Sequence, residues 1–403
     1  MRITTKPLER TRDPIRIGAP VALSDEIEAL IRRFNADSRR SVRRLLYSSP
    51  RLADLASVFP GAIHALATRR GTATRRRRAL ELVEEGAQLK EVARALDLPL
   101  WLRRLPPDAF AGPLPVLPAS EMFARRIVNQ LPSTSAESAF WLASVAFASN
   151  ACNEYFALWL AGQPVFTDPG EPERLFGVLA AYAWFSGADS TRAHSLIVVP
   201  WRPEMAFDTA VCAAKSWLNR IRLTLQLRDG AIADTWLVPG DAAGFTFVPL
   251  VDQGEILAEA HAMQNCADQY ADRLARDKCR LFSVRRKGTR IATLEIGPHS
   301  RETGVLAINQ LKARHNMPAP ADVWQGAHAW LSQQKDLRRQ PPLLVPDRPL
   351  DAATWESLMI SYRLKKRGAP WVPETLSLAK FAELDGAMAD IARRGGVSSW
   401  LFT

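Results

Sequence analysis

Between Glu259 and Asn316 the chain changes its hydrophobic period, and few architectures accommodate such a change. Glu259, Met263, Cys266 and Tyr270 are separated by four, three and four residues, the spacing of one helical face. From Cys279 to Arg286 and from Arg290 to Ile296 the side chains alternate as in strands, with Lys287-Gly288 at the bend between them. A third short strand, Val305 to Gln310, follows the turn-rich Gly297-Pro298-His299-Ser300. The pattern predicts one long helix laid across an antiparallel meander, a compact α+β unit with a heavy load of polar side chains.

The rest of the composition bounds this unit's surroundings. A chain of 403 residues, 47% apolar and 24% charged, reads as a folded protein of two or three domains. The polar start predicts no signal peptide. The most apolar run, Ala139 to Phe166, contains Asn150, Asn153 and Glu154, which suits a buried helix better than a membrane span. Cys152, Cys212, Cys266 and Cys279 are scattered without a CxxC pair, which argues against a zinc site and a disulfide framework and fits a reducing cytoplasm. The net charge of +11 is uneven: residues 1–110 hold 22 Lys+Arg and 13 Asp+Glu, a balance of +9. Such asymmetry hints at a polyanionic partner, although an arginine-rich composition alone would also produce it.

Taken in order, residues 1–20 read as extended, punctuated by Pro7, Pro14 and Pro20. Ser24 is expected to cap a helix, and several short helices follow to about residue 105, with Arg75, Arg76, Arg77 and Arg78 forming a run. Ala79 to Arg104 resembles the first helices of a helix-turn-helix. The second helix, Pro99 to Leu105, would be short and mostly apolar, so only Arg103 and Arg104 could reach bases, and a structural hairpin fits better. Helices are expected near 119–131, 136–162, 172–187, 205–219, 319–334, 351–364 and 373–393. Strands are expected at Ser195–Val199, Ile221–Leu227, Thr235–Val238 and Phe245–Leu250. Residues after Leu337 read as a linker, and Arg363 to Arg367 as a solvated basic helix end.

Three chemistries remain open for the central stretch. Cys266 could act as a thiol nucleophile with His261 or His315 as base and Glu295 or Asn316 as orienter. Cys266 and Tyr270 could instead be a packing stripe, with the Tyr270 hydroxyl bonded to Glu295 or Gln310. Arg285, Arg290, Thr293, Glu295, Gln310, Lys312 and Asn316, joined by Asn265, could form a binding surface over the sheet. No His or Cys follows at metal-ligand spacing, so neither metal nor cofactor is expected.

Met263-Gln264-Asn265-Cys266 and Tyr270, then Leu281 to Arg285, Ala292 to Glu295, Gln310-Leu311-Lys312 and Asn316 together resemble the PcfJ-like family. That family takes its name from a conjugative-plasmid gene cluster, and the resemblance implies no established activity. One departure is Ala313, where the family pattern has Gly after the Lys. The resemblance and the charge together give the expectation. It is an α+β protein with a helical amino-terminal half, an α+β core and a short helical tail, divided near 1–118, 119–190, 191–336 and 337–403. It would be a non-catalytic accessory protein contacting nucleic acid or a nucleoprotein complex, with no membrane association. The family's naming adds a mobile element as the setting. A cysteine-dependent enzyme using Cys266 is the alternative.

Overall fold

The computed structural model describes residues 24–166, 170–227, 232–339, 349–366 and 372–397. The extended start, most of the linker after Leu337 and Arg367 of the basic cluster lie outside them. The chain divides into two compact units, Met1–Ala146 and Phe147–Thr403. It is an α+β protein with one five-stranded antiparallel sheet among its described residues.

The first unit is helical: α1 (Asp25–Arg33), α2 (Ala36–Ser48), α3 (Pro50–Val58), α4 (Pro60–Ala67), α5 (Ala73–Glu85), α6 (Leu89–Ala95) and α7 (Glu121–Ile127). Short polar caps set the boundaries. Ser24 accepts the Ile27 N–H, Asn35 that of Asp37, Ser49 that of Arg51 and Thr72 that of Arg75. Gly86 closes α5 with left-handed backbone, φ 74°. α5 and α6 form a helical hairpin. Pro99 to Leu105 is only a 3-10 turn, and its Trp101 and Leu102 are buried. Trp101 donates to the Pro118 carbonyl at 3.1 Å and meets Trp141 edge-on, so this turn belongs to the core. The boundary between the units falls within α8 (Ser135–Ala151).

The second unit continues with α9 (Glu154–Ala161), α10 (Pro172–Ser186) and α11 (Phe207–Leu227). The expected helix 136–162 is thus two, because Asn153 caps α9 by accepting the Phe156 N–H at 2.9 Å. Ile221–Leu227 is no strand. Its alternating Ile221, Leu223 and Leu225 lie in α11, a helix buried on nearly every side over its last turns, so period alone misread it. Ser195–Val199 starts in a 3-10 turn, and Thr235–Val238 is a turn held by Asp234 with Trp236 at φ 67°.

The sheet is a simple meander: β1 (Gly240–Ala242) and β2 (Phe245–Pro249), then α12 (Gln253–Met263) and α13 (Ala271–Ala275), then β3 (Arg280–Arg286), β4 (Thr289–Pro298) and β5 (Leu306–Ala313). Lys287 and Gly288, both at positive φ, form the two-residue loop between β3 and β4. One sheet face, including Phe247, Phe282, Val284 and Leu294, packs on α14 (Ala321–Ser332) through Val323, Ala327 and Trp330. Phe247 and Trp330 stack at 4.6 Å. A Cβ at Gly326 would stand 2.7 Å from the Phe245 ring, so this close approach of helix to sheet needs glycine. The other face carries Leu281 and packs with Ile256, Ala260, Ala267, Ala271 and Leu274 of the α12–α13 segment and Leu223 of α11. The helices α15 (Ala352–Lys365) and α16 (Leu378–Arg394) are integral to this unit: Tyr362 lies against Trp184 and Phe185 and donates to the Ala151 carbonyl at 2.7 Å. Among the described residues no helix is long and apolar enough to cross a membrane.

A buried histidine makes the first unit sensitive to acid. His64 stacks between Phe34 and Phe110, and its Nε2 meets the Gly112 carbonyl at 2.8 Å while Nδ1 is buried without a hydrogen bond. Burial holds its pKa below the ordinary value, against a smaller opposite pull from the Gly112 carbonyl. The unfolded chain takes up this proton near pH 6.5, and the folded unit resists it. Stability from neutral His64 is therefore complete above about pH 6.5 and is lost as pH falls toward the depressed folded value. Denaturant unfolding from pH 7.5 to 5 is expected to show this loss, and His64→Phe is expected to flatten it. An unchanged pH profile in that variant would remove His64 as the cause.

Candidate functional site

The polar stretch gathers on the sheet face toward α12. Strand register aligns the rows Leu281–Glu295–Gln310 and Ser283–Thr293–Lys312. A β-bulge between Glu295 and Ile296 leaves Asn309 unpaired, so Asn309 and Gln310 both reach the neighbourhood of Glu295. A Cβ at Gly297 would overlap the Asn309 amide, so a side chain there would displace Asn309 from Glu295.

The single helix expected across this face is broken into three pieces. Gln264 ends α12 in left-handed backbone, φ 49°. The Asn265 side chain then accepts the Ala267 N–H, a local bond that competes with helix continuation. A 3-10 turn, Ala267–Gln269, leads into α13. Cys266 therefore sits between helices, not within one, and the short turn gives its thiolate no useful dipole.

The break creates two adjoining hydrogen-bonded clusters. In the first, Glu259 is 0% exposed. It accepts from the Thr293 hydroxyl at 2.8 Å and from Arg290 Nε at 2.8 Å. Thr293 in turn accepts from Asn265 Nδ2 at 2.7 Å. In the second, Glu295 is 2% exposed and accepts from the Tyr270 hydroxyl at 2.9 Å. Arg273 meets both carboxylate oxygens, with its guanidinium 5.1 Å from the Tyr270 ring centre. The same hydroxyl lies 3.4 Å from Gln310 Oε1, a longer second acceptor beside the Glu295 carboxylate. Burial, then the Glu295 charge, push the Tyr270 pKa far up, so the phenol stays protonated.

The same segment is tied to α11. Arg220 and Ser216 donate to Asp268, while Arg222 and Gln226 donate to Asp272. Asp268 and Asp272 face α11 while Tyr270 and Arg273 face the sheet, so polar pairs fix both sides of a segment too short to hold helix by itself.

Between the pieces lies a small cleft lined by Asn265, Cys266, Tyr270, Thr293, Glu295, Gln310, Lys312 and Asn316. Its floor encloses about 20 Å³, room for one water, and about 280 Å³ is reached only by counting the open mouth. Small-molecule pockets need about 300–1,000 Å³, so no bulky substrate is enclosed here. The Cys266 thiol donates to Asn316 Oδ1 at 3.6 Å. Burial, then the Asp268 charge, raise its pKa above the ordinary value. His315 is exposed and is not among the cleft residues, and Arg285 donates to Ser283 beside them. Ala313 is extended at φ −77°, and the left-handed positions fall on His315 and Asn316, so the turn after Lys312 needs no glycine at 313.

The six arginines of the run and of the 3-10 turn, Arg75 to Arg78 with Arg103 and Arg104, differ in availability. Arg75 pairs with Asp97 at 3.2 Å, and Arg78 with Glu81 and Glu85 at 3.3 and 3.4 Å. Arg76 donates to the carbonyls of Arg69 and Gly71. Arg77, Arg103 and Arg104 are exposed, with no carboxylate in ion-pair range among the described residues. Those residues also hold no group of three His, Cys, Asp or Glu able to bind a metal.

Sequence reasoning missed Arg273, Asn309 and the α11 contacts. The Tyr270 to Arg273 spacing of three was a usable signal, since it places both on one helical face. Asn309 needed the bulge, which no spacing reveals. Tyr270→Phe is expected to lower the stability of the second unit by about 1.5–3 kcal/mol, because it removes a donor from a buried carboxylate. Gln310→Ala, at an exposed position, should cost under about 1 kcal/mol. Equal losses in denaturant unfolding would show that the Glu295 cluster is not the stabilising element.

No family model matches this chain, no curated protein matches it, and no solved structure matches it.

Proposed function

We propose that this protein is a non-catalytic accessory protein that contacts nucleic acid through the arginines of its first unit. The observation that carries the reading is that Arg77, Arg103 and Arg104 remain exposed without carboxylates among the described residues, in a region with a balance of +9. A second feature supports it. The first turns of α5 hold Arg75 to Arg78 and no acidic residue, whereas α1 begins with Asp25, Glu26 and Glu28. Cations at the positive end of a helix cost about 0.3–1 kcal/mol each, a cost that neighbouring phosphates would relieve. The resemblance to PcfJ-like proteins adds a link to mobile elements, and that link rests on the family's naming alone.

The test is binding of fluorescent duplex and single-stranded oligonucleotides across a salt series. Affinity is expected to fall steeply with salt. Arg77→Ala/Arg103→Ala/Arg104→Ala should reduce the logarithmic slope by about one for each phosphate no longer neutralised. Salt-independent retention, or an unchanged slope in the triple variant, would overturn the reading.

A cysteine-dependent enzyme has less support. The Cys266 thiol bonds to an amide instead of an imidazole, and its raised pKa keeps it protonated at neutral pH. Cys266 is expected to react with N-ethylmaleimide at pH 7 more slowly than free cysteine. Faster reaction would restore the enzyme reading.

A further inference from the structure

We infer that the cleft between α12, α13 and the sheet is a binding site for a single carboxylate group, with Lys312 as counter-charge and Asn316 as amide donor. The inference is independent of the nucleic-acid reading, since it concerns the second unit alone.

Charge accounting at the cleft leads to it. Glu295 is matched by Arg273, Glu259 by Arg290 and Asp268 by Arg220. Every acidic group around the floor is therefore already neutralised, whereas Lys312, which lines the cleft, has no carboxylate in ion-pair range among the described residues. The site has one surplus positive charge. Its hydrogen-bonding surface is also biased toward donors. Asn316 commits its Oδ1 to the Cys266 thiol, leaving Nδ2 free to donate. Asn265 Nδ2 uses one proton on Thr293 and retains another.

Size selects the ligand. The cleft, at about 20 Å³, suits a small planar group better than a bulkier phosphate with its three terminal oxygens. A phosphate also carries nearly two charges and favours bidentate arginine, and the two nearest arginines are held by Glu295 and Glu259. A carboxylate carries one charge and can insert one oxygen. Asn316, which lines the cleft, holds left-handed backbone at φ 58°, directly after His315 at φ 60°. Such conformations cost energy in residues other than glycine, and here they set Asn316 over the cleft.

The ligand is either a small free carboxylic acid or the carboxyl terminus of a peptide, and the experiment separates them. N-Ethylmaleimide labelling of Cys266, read by mass spectrometry with Cys212 as internal reference, reports occupancy of the cleft. N-Acetylglycine at millimolar concentration is expected to slow Cys266 labelling at least twofold, while uncharged N-acetylglycinamide leaves it unchanged. Lys312→Gln should abolish the protection. Asn316→Asp, which keeps a residue tolerant of left-handed backbone but adds a repelling charge, should abolish it too. A peptide such as acetyl-trialanine protecting at lower concentration assigns a chain terminus, and no gain over N-acetylglycine assigns a small acid; both support a carboxylate site. Equal protection by acid and amide, protection that survives in Lys312→Gln, or stronger protection by inorganic phosphate would overturn it.

Discussion

Glu259 and Glu295 are buried between the sheet and the α12–α13 segment, and the arrangement of that segment follows from their need for donors. An ionised carboxylate withdrawn from water is costly, and stripping one partner from a buried pair typically loses about 3–5 kcal/mol. Each carboxylate therefore requires a guanidinium and at least one hydroxyl at fixed positions. Arg290 and Thr293 come from the same strand as Glu295, so β4 supplies donors to one carboxylate while presenting the other. Tyr270 and Arg273 come from the far side of the helix break.

Helical spacing does not require the interruption. An unbroken helix from Glu259 would keep Tyr270 in the rotation set by Glu259 and Met263, a face already turned to the sheet. With α12 ending at Gln264 and α13 restarting at Ala271, Tyr270 and Arg273 meet Glu295 while Asp268 and Asp272 reach α11. The interruption costs backbone hydrogen bonds and a left-handed residue. Ion pairs and hydrogen bonds on both sides offset that loss, and the cleft is the gap left at the joint.

The first unit follows a different logic. Its hairpin has the outline of a nucleic-acid reading motif, yet Trp101 and Leu102 occupy the core where a recognition helix would need exposed polar side chains. Contact with a polyanion would then be through guanidinium charge and not through base edges, which implies salt-sensitive binding with little sequence preference.

How much was legible in advance depended on the range of the interaction involved. Local rules sufficed for Ser24 as a cap, Lys287-Gly288 as a hairpin loop, the strands around them and the helix that covers one sheet face, because each depends on neighbouring residues and period. The meeting of Tyr270, Glu295 and Gln310 was also foreseeable, since alternation places Glu295 on a sheet face and the stretch is short. Tertiary structure alone decided the rest. Ile221 to Leu227 alternates like a strand but is helix, because neighbours on many sides bury it and erase the period that distinguishes the two. The helix break at Gln264, the bulge that delivers Asn309 and the ties from α11 arise from groups 14 to 52 residues apart satisfying one another's charge, and no local pattern records that requirement.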